Sequence, residues 1–317
     1  MYQDYQRWSA GFEAKDHLHG EKDAVTRLNT GDMPEIFIEP KFRLAPDTKY
    51  YCIGSCFARH VEDALMAAGK TVLSAQLTLP DFIDRQSVYP PSVLTKYNAF
   101  SMNRMIDWAG QGIEDDAGFL VELKPGAFWN PHLINLTTYP LDQARAIHAA
   151  VCANVRRIAE ADCVILTLGL TEYWLDTETD TPLNATPIDW RHQQRTNRFA
   201  FRNSGFVQNM DQMRSVIAKI RTIARPDCRI ILTVSPVPLQ RTFERRDVIM
   251  ANTWSKSVLR AVAGELVAED GGIDYFPSFE IVMNAPTAMA WHHDRRHVQE
   301  AFVARVMGVF LKSYIAD

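Results

Sequence analysis

Cysteine is scarce in this sequence, and its arrangement does not suggest a disulfide framework. The 317 residues include five cysteines, an odd number with no framework-like spacing and no C-x-x-C pair. Two of them, Cys163 and Cys228, lie inside strand-like apolar runs, where a cysteine is typically a small buried hydrophobic residue. A chain of this kind is typical of a reducing compartment, so we expect a cytoplasmic protein.

Long hydrophobic runs and clusters of one charge are also missing. No stretch of about 18 apolar residues could form a transmembrane helix, and the N-terminal segment contains no apolar core of signal-peptide length. Lysine and arginine total 34 against 38 aspartates and glutamates, a net charge of −4, with no basic run. Because nucleic acids and anionic membranes are bound through basic surfaces, we expect neither partner.

The sequence does contain alternating strand-like and helix-like segments. The last three of the four strand-like apolar runs each follow a helical stretch, and another helical stretch ends the chain. The apolar runs are 50–53, 164–168, 229–234 and 273–276, and the helical stretches are about 141–160, 207–224, 251–268 and 298–315. The pattern predicts an α/β fold, a three-layer sandwich whose central, mostly parallel sheet has helices on both sides.

The chain divides into an N-terminal arm, residues 1–45, and one α/β domain, residues 46–317. Insertions at about 75–140 and 176–205 are rich in proline or polar residues, and we expect them to run over the edge of the sheet that binds substrate. Aromatic residues at helical spacing predict an amphipathic helix in the arm, docked on this domain or on a second subunit, so a homo-oligomer stays open. These residues are Tyr2, Tyr5, Trp8 and Phe12.

The most informative junction is Gly54–Ser55–Cys56–Phe57–Ala58, between the first strand and the first helix of the domain. Free backbone N–H groups and the positive end of the helix dipole converge there. They favour a thiolate at Cys56 by lowering its pKa, and they are suited to stabilise an oxyanion. The alternative interpretation is structural, with Ser55 as an N-cap and Cys56 as a packed small residue.

A second candidate is the D-x-x-H pattern of Asp294 and His297 before the last helix. An aspartate three residues before a histidine can accept a hydrogen bond from the imidazole, as in an acyl-transfer triad. A capping aspartate followed by a surface histidine would give the same pattern. His292 and His293 also raise a metal hypothesis, but no matching ligand pattern occurs elsewhere, and we expect no metal.

A third segment, Thr167–Trp174, directly follows a strand. Gly169 allows the backbone to turn, and Thr171 and Glu172 are then expected at the same sheet edge as Cys56. An ordinary turn at the end of a strand is the alternative.

In order along the chain, these motifs resemble those of the GSCFA family. The resemblance covers about residues 36–315 and includes two further motifs, Ser235–Pro238 and Tyr275–Glu280. The family is named for the Gly-Ser-Cys-Phe-Ala motif and is similar to the SGNH/GDSL hydrolases and the PC-esterases. The resemblance implies an SGNH-hydrolase, flavodoxin-like architecture with long loop insertions.

The same resemblance implies roles for the residues of the first and last motifs. Cys56 takes the place of the serine nucleophile of the SGNH enzymes, and Ser55 takes that of the aspartate before it. Asp294 and His297 carry over as the acid and the base of the triad.

Oxyanion and substrate contacts are implied for three further residues. Thr171 stands where relatives have the oxyanion-hole asparagine, and Glu172 follows it. Asn98, within Tyr97–Phe100, is the best match to the segment that supplies a second oxyanion donor.

The implied function is that of an acyl esterase or acyltransferase acting through a cysteine thioester. The implied substrate is an O-acylated carbohydrate or another small molecule, with acyl-CoA as a candidate donor and no cofactor. The alternative from another class is a non-catalytic glycan- or partner-binding protein on a degenerate SGNH scaffold. A thiol redox or metal protein is a third and weaker reading.

Overall fold

The computed structural model describes residues 24–84, 88, 90–111, 119–134, 136–187 and 196–315. The amphipathic helix predicted near the N-terminus lies outside these residues. The described part of the arm packs on the domain, where the Leu44 N–H donates to the Tyr314 carbonyl at 2.7 Å.

A five-stranded parallel sheet forms the centre of the fold. Its strands are β1 (Lys49–Gly54), β2 (Thr71–Val72), β5 (Cys163–Leu168), β9 (Arg229–Val234) and β10 (Ile273–Tyr275), in the spatial order β10-β9-β5-β1-β2. Counted along the chain, this is the order 2-1-3-4-5 of flavodoxin-like folds. The predicted fold class is therefore confirmed.

Successive side chains of each strand point to opposite faces of the sheet. Both sets are apolar here, so helices cover both faces. On one face, Tyr51, Val164 and Ile230 are buried against four helices; on the other, Tyr50, Cys163 and Ile231 are buried against three. The first group is α3 (Ala99–Gln111), α4 (Leu141–Arg156), α5 (Phe206–Ile223) and α6 (Val248–Glu269), and the second is α2 (Cys56–Ala67), α7 (Ser278–Met283) and α9 (Glu300–Tyr314). Two short helices, α1 (Ala24–Leu28) and α8 (Thr287–Ala290), complete the described helices.

The two insertions contain more regular structure than the sequence suggested. The first contains α3 and a hairpin of β3 (Val121–Lys124) and β4 (Ala127–Trp129). The second contributes to an antiparallel sheet of β6 (Glu172–Asp176), β7 (Thr181–Leu183) and β8 (Phe199–Asn203). These elements form through long-range pairing and packing despite the proline and polar content of the two segments.

The turn after β1 requires a glycine. Gly54 has a φ of +152°, and a Cβ there would lie 2.3 Å from the Thr167 carbonyl oxygen on β5. No larger residue fits this contact without displacing the neighbouring strand. The close approach of β1 and β5 just before Cys56 therefore explains the glycine of the Gly-Ser-Cys-Phe-Ala motif.

Candidate active site

Cys56 is the first residue of α2, directly after the strand β1. Ser55 is the N-cap, and its hydroxyl accepts a hydrogen bond from the Phe57 N–H at 3.3 Å. The structural alternative therefore describes Ser55 correctly. Cys56, however, is partly exposed and lines a cavity.

This cavity, of about 390 Å³, opens at the carboxyl ends of three neighbouring strands. The residues that follow β1, β5 and β9 line it, as expected for an open α/β sheet. They include Ser55, Cys56, Gly169, Leu170 and Ser235. The remaining wall comes largely from β6–β8 and from the loop after β9, so the second insertion helps to form the cavity.

The position of Cys56 at a helix N-terminus predicted a lowered thiol pKa, but the thiol pKa is raised. Burial raises it, while the charges of Lys256 and Arg296 and the N–H groups at the start of α2 oppose the rise. The expectation of a lowered pKa was therefore wrong, because desolvation of the thiolate outweighs the helix N-terminus. A base must remove the proton for Cys56 to act as a nucleophile near neutral pH.

Asp294 and His297 form the pair that their spacing predicted. His297 Nδ1 lies 2.6 Å from Asp294 Oδ2, and Asp294 Oδ1 accepts from the backbone N–H groups of Arg296 and His297 at 3.0 and 3.1 Å. These hydrogen bonds lower the pKa of Asp294 and keep it ionised. The pairing leaves His297 Nε2 as the imidazole nitrogen that is available to move a proton.

His297 lies beside the start of α2 without hydrogen-bonding to Cys56. Among the described residues, no hydrogen bond joins the two, and the His297 side chain is 52% exposed. Burial lowers the pKa of His60, one helical turn after Cys56, and the charge of His297 adds a smaller contribution in the same direction. Arg296, the residue before His297, lines the cavity. The expected direct contact is not made in this conformation, and neither Asp294 nor His297 is among the described residues that line the cavity.

The residues assigned to the oxyanion hole have other partners. Asn98 is buried; its Oδ1 accepts from the Ser101 N–H at 2.8 Å in the first turn of α3, and its Nδ2 donates to the Leu183 carbonyl at 3.3 Å. Thr171 is also buried and donates to Asn203 Oδ1 at 2.6 Å. Neither side chain lines the cavity and both have structural partners, so the oxyanion roles of Asn98 and Thr171 stay predictions that this conformation does not support.

Glu172 does line the cavity, as the sequence placed it. Its Oε1 accepts a hydrogen bond from the Thr242 hydroxyl at 2.5 Å, and burial raises its pKa. The carboxyl group is thereby tied to the loop after β9.

Tyr97 is a cavity residue that the sequence analysis missed by one position. Its backbone carbonyl packs against Gly169, where a Cβ would lie only 2.5 Å away, and accepts from the Leu170 N–H at 2.8 Å. Burial raises the pKa of the phenol to about 12, with a further contribution from Cys56, so the hydroxyl keeps its proton at neutral pH. The Tyr97–Phe100 segment was identified from the sequence, but the oxyanion role was assigned to its asparagine, Asn98, and not to Tyr97.

Lys256 is a second missed residue, on the buried face of α6. Its Nζ donates to the Gly169 carbonyl at 2.6 Å, and burial lowers its pKa to about 7. Cys56 is the titratable group whose charge acts on it. The sequence carried little signal for this burial, since of the positions three and four residues away only Leu259 is apolar and Asn252, Thr253 and Arg260 are polar.

The far part of the cavity is aromatic. Trp174 packs edge-to-face against Phe243 and Phe201, with ring centroids 5.0 and 5.7 Å apart. All three rings line the cavity, which therefore has an apolar region and a polar region around Cys56, Tyr97 and Arg296.

No metal-binding cluster is found in the described part of the chain, where no three His, Cys, Asp or Glu side chains are suitably grouped. His292 instead pairs with Glu300, Nε2 to Oε2, at 3.3 Å. Within the same residues, none of the helices has the length and apolar character needed to cross a membrane.

Comparison with known proteins gives one family. The model described as the GSCFA family matches residues 49–310. No curated protein matches the chain. Among solved structures, the chain is similar to the Clostridium thermocellum family 3 carbohydrate esterase, with 9% identity and a TM-score of 0.34 over 84% of this chain and 94% of that one. A likeness this weak says nothing about the activity of this chain.

Proposed function

Because the chain belongs to the GSCFA family, we propose that it is an acyl esterase or acyltransferase whose nucleophile is Cys56. The supporting observation is the position of Cys56 at the start of α2, in the cavity and next to the segment that carries the Asp294–His297 pair. A nucleophile at a helix N-terminus has backbone donors close to the carbon it attacks.

In the first half-reaction, His297 Nε2 takes the thiol proton, and Cys56 Sγ attacks the carbonyl carbon of an ester or thioester. The oxyanion accepts hydrogen bonds from the Cys56 N–H and the Tyr97 hydroxyl, since Asn98 and Thr171 have other partners. As the tetrahedral intermediate collapses, the leaving alcohol or thiol takes the proton from His297. A thioester remains on Sγ.

In the second half-reaction, water or an acceptor alcohol gives its proton to His297 and attacks the thioester carbonyl. The C–S bond breaks, the proton returns to sulfur, and an acid or a new ester leaves. No cofactor takes part. The acceptor alone decides between hydrolysis and transfer.

His297 must approach Cys56 for these proton transfers. Its side chain is half exposed, and Asp294 holds only its Nδ1, so the imidazole has room to turn. Catalytic hydrogen bonds are often longer in the free enzyme than in the substrate complex. Lys256 assists as well, because a buried cation near Sγ favours the thiolate over the thiol.

The aromatic part of the cavity supports a substrate with an apolar face, such as an O-acylated sugar ring or the acyl chain of an acyl-CoA. Trp174, Phe201 and Phe243 offer ring faces and edges to such a group.

Kinetics of two neighbouring variants test the nucleophile. With p-nitrophenyl acetate or acetyl-CoA, Cys56→Ala should lower kcat at least about 10³-fold. Ser55→Ala should keep most of the activity and lower the free energy of unfolding by about 1 kcal/mol, since it removes only an N-cap. If Ser55→Ala is inactive while Cys56→Ala turns over, the serine is the nucleophile.

A binding protein without catalysis is the second candidate. The missing Cys56–His297 hydrogen bond and the raised pKa of the thiol favour it. It would bind glycans or acyl compounds equally well in the wild type and in Cys56→Ala, with no turnover in either.

A further inference from the structure

The polar part of the cavity contains a guanidinium that no carboxylate neutralises. Arg296 lines the cavity, and its Nε is buried without a hydrogen-bond partner among the described residues. No ion pair joins it to any acidic side chain in that part of the chain. A partly buried cation with unused donors normally has a partner that satisfies them.

The acidic residues beside Arg296, one in the chain and one in the cavity wall, already have hydrogen-bond partners. Asp294 holds the imidazole of His297 with one oxygen and two backbone N–H groups with the other. Glu172, the acidic residue among the described cavity-lining side chains, accepts from Thr242. The position of Arg296 is therefore not explained by a structural ion pair.

A second arginine adds to the positive charge. Arg241 also lines the cavity, on the loop after β9, and has no recorded acidic partner among the described residues. By contrast, Arg246 on the same loop pairs with Glu244 at 2.8 Å and lies outside this cavity. The cationic character is thus local to the cavity that contains Cys56.

We propose that this site acts on substrates carrying an anionic group, a carboxylate or a phosphate, close to the reacting carbonyl, and that Arg296 binds that group. The inference rests on the proposed function, which places the reacting carbonyl of the substrate at Cys56. A guanidinium binds carboxylate and phosphate through two parallel N–H···O bonds, which gives both affinity and orientation.

The location of Arg296 limits where the anion lies on the substrate. Arg296 lines the same cavity as Cys56 and Tyr97, and its charge acts on both the thiol and the phenol. The anion therefore lies a few bonds from the carbonyl, on a dicarboxylic acyl group or on the adjoining sugar. The phosphates of CoA, at the far end of a long arm, are too distant from the thioester to serve.

Binding to the Cys56→Ala variant tests the inference without catalysis. Three pairs of probes are compared by calorimetry: monomethyl and dimethyl succinate for the acyl source, glucuronate and glucose for the sugar carboxylate, and glucose 6-phosphate and glucose for phosphate. The charged member of at least one pair should bind at least about tenfold more tightly than its neutral partner. Which pair does so identifies the source of the anion.

Arginine variants in the same background give the control. Arg296→Gln should remove about 10- to 100-fold of the preference for the charged probe, Arg296→Lys should restore part of it, and Arg241→Gln should have a smaller effect. Arg246→Gln should leave the preference unchanged. Equal binding of charged and neutral probes, or no binding of any charged probe at about 1 mM, the upper end of ordinary substrate affinities, would overturn the inference.

The inference and the proposed function fail separately. If Arg296→Gln loses turnover of charged and neutral esters alike, Arg296 stabilises the oxyanion instead, and the anion inference is wrong while Cys56 chemistry stands. If the probes bind as expected but Cys56→Ala leaves turnover unchanged, the anion site stands and the nucleophile assignment is wrong.

Discussion

The two halves of the candidate catalytic machinery are built differently. Cys56 follows a strand that is buried on both faces, after a glycine in tight contact with β5 and a capping serine. Asp294 and His297 lie in an exposed turn between α8 and α9, where their side chains pair with each other and the His292 N–H donates to the His297 carbonyl at 2.9 Å. Under the proposed function, the cysteine half is fixed and the histidine half, with its exposed side chains, is adjustable, so the site closes by movement of His297.

The largest effect is expected when the adjustable half is removed. His297→Ala should lower kcat by about 10²- to 10⁴-fold, because the neutral thiol then lacks its base. His293→Ala, four residues earlier and outside the aspartate pair, is the control and should be near wild type in a p-nitrophenyl ester assay. Equal activity of His297→Ala and the wild type would show that another group, such as Lys256, is the base.

The fixed half is tested through stability. Gly54→Ala should lower the free energy of unfolding by about 3 kcal/mol or more, since the methyl group meets the Thr167 carbonyl and the φ of +152° is strained. Gly308→Ala on the exposed face of α9, where no atom lies within 4 Å of the added Cβ, should instead stabilise by about 0.5–1 kcal/mol. Urea unfolding of the two variants measures both. A Gly54→Ala protein as stable as the wild type would contradict the close contact between β1 and β5.

Lys256 belongs to the cysteine half, and its effect there is tested through the pH dependence of the thiol. Lys256→Met should raise the pKa of Cys56, and iodoacetamide labelling at pH 8 should slow about tenfold for each unit of the shift. In the wild type, labelling should keep accelerating well above neutral pH because burial raises the thiol pKa. A labelling rate unaffected by Lys256→Met would separate the lysine from the nucleophile.

The same variant has a stability signature with a defined sign. The pKa of Lys256 falls from 10.5 to about 7 on folding, so the unfolded chain binds more protons between these values and stability rises with pH there, by at most about 1.4 kcal/mol per pH unit. Lys96, buried with the same shift, adds an equal slope. Lys256→Met should remove one of these two contributions to the slope. The gain in free energy of unfolding over the wild type should therefore be largest below pH 7.

The smallest effect is expected at the side chains whose oxyanion roles this conformation does not support. Asn98→Ala should destabilise by about 1 kcal/mol through the lost cap of α3 and leave kcat nearly unchanged. A 100-fold loss of kcat at unchanged stability would restore the oxyanion role that the family resemblance implied. Thermal unfolding and ester turnover on one preparation separate these outcomes.

Local pattern in the sequence was sufficient for part of this account. The alternating apolar runs predicted the parallel sheet, the Gly54–Ala58 motif predicted the strand–helix junction, and the spacing of Asp294 and His297 predicted their hydrogen bond. Each of these depends on residues close together in the chain.

The rest of the site depends on long-range packing, which leaves little local signal. Tyr97 lines the cavity where its backbone packs on Gly169, and Lys256 lies buried behind that lining, where its Nζ donates to the Gly169 carbonyl. The family pattern pointed to Asn98 and Thr171, whose side chains hydrogen-bond to Leu183 on β7 and Asn203 on β8 and do not line the cavity. The pKa of Cys56 was misjudged for the same reason, since the burial that raises it comes from elements far along the chain.

Intact-mass measurement after incubation with p-nitrophenyl esters and acyl-CoA compounds tests the central claim most directly. The account predicts an added acyl group on the Cys56 peptide of the wild type, longer-lived in His297→Ala when an activated ester forces its formation, and no adduct in Cys56→Ala. An adduct on Ser55, or on any residue outside the cavity, would contradict it, as would turnover with no adduct on Cys56 under rapid quenching.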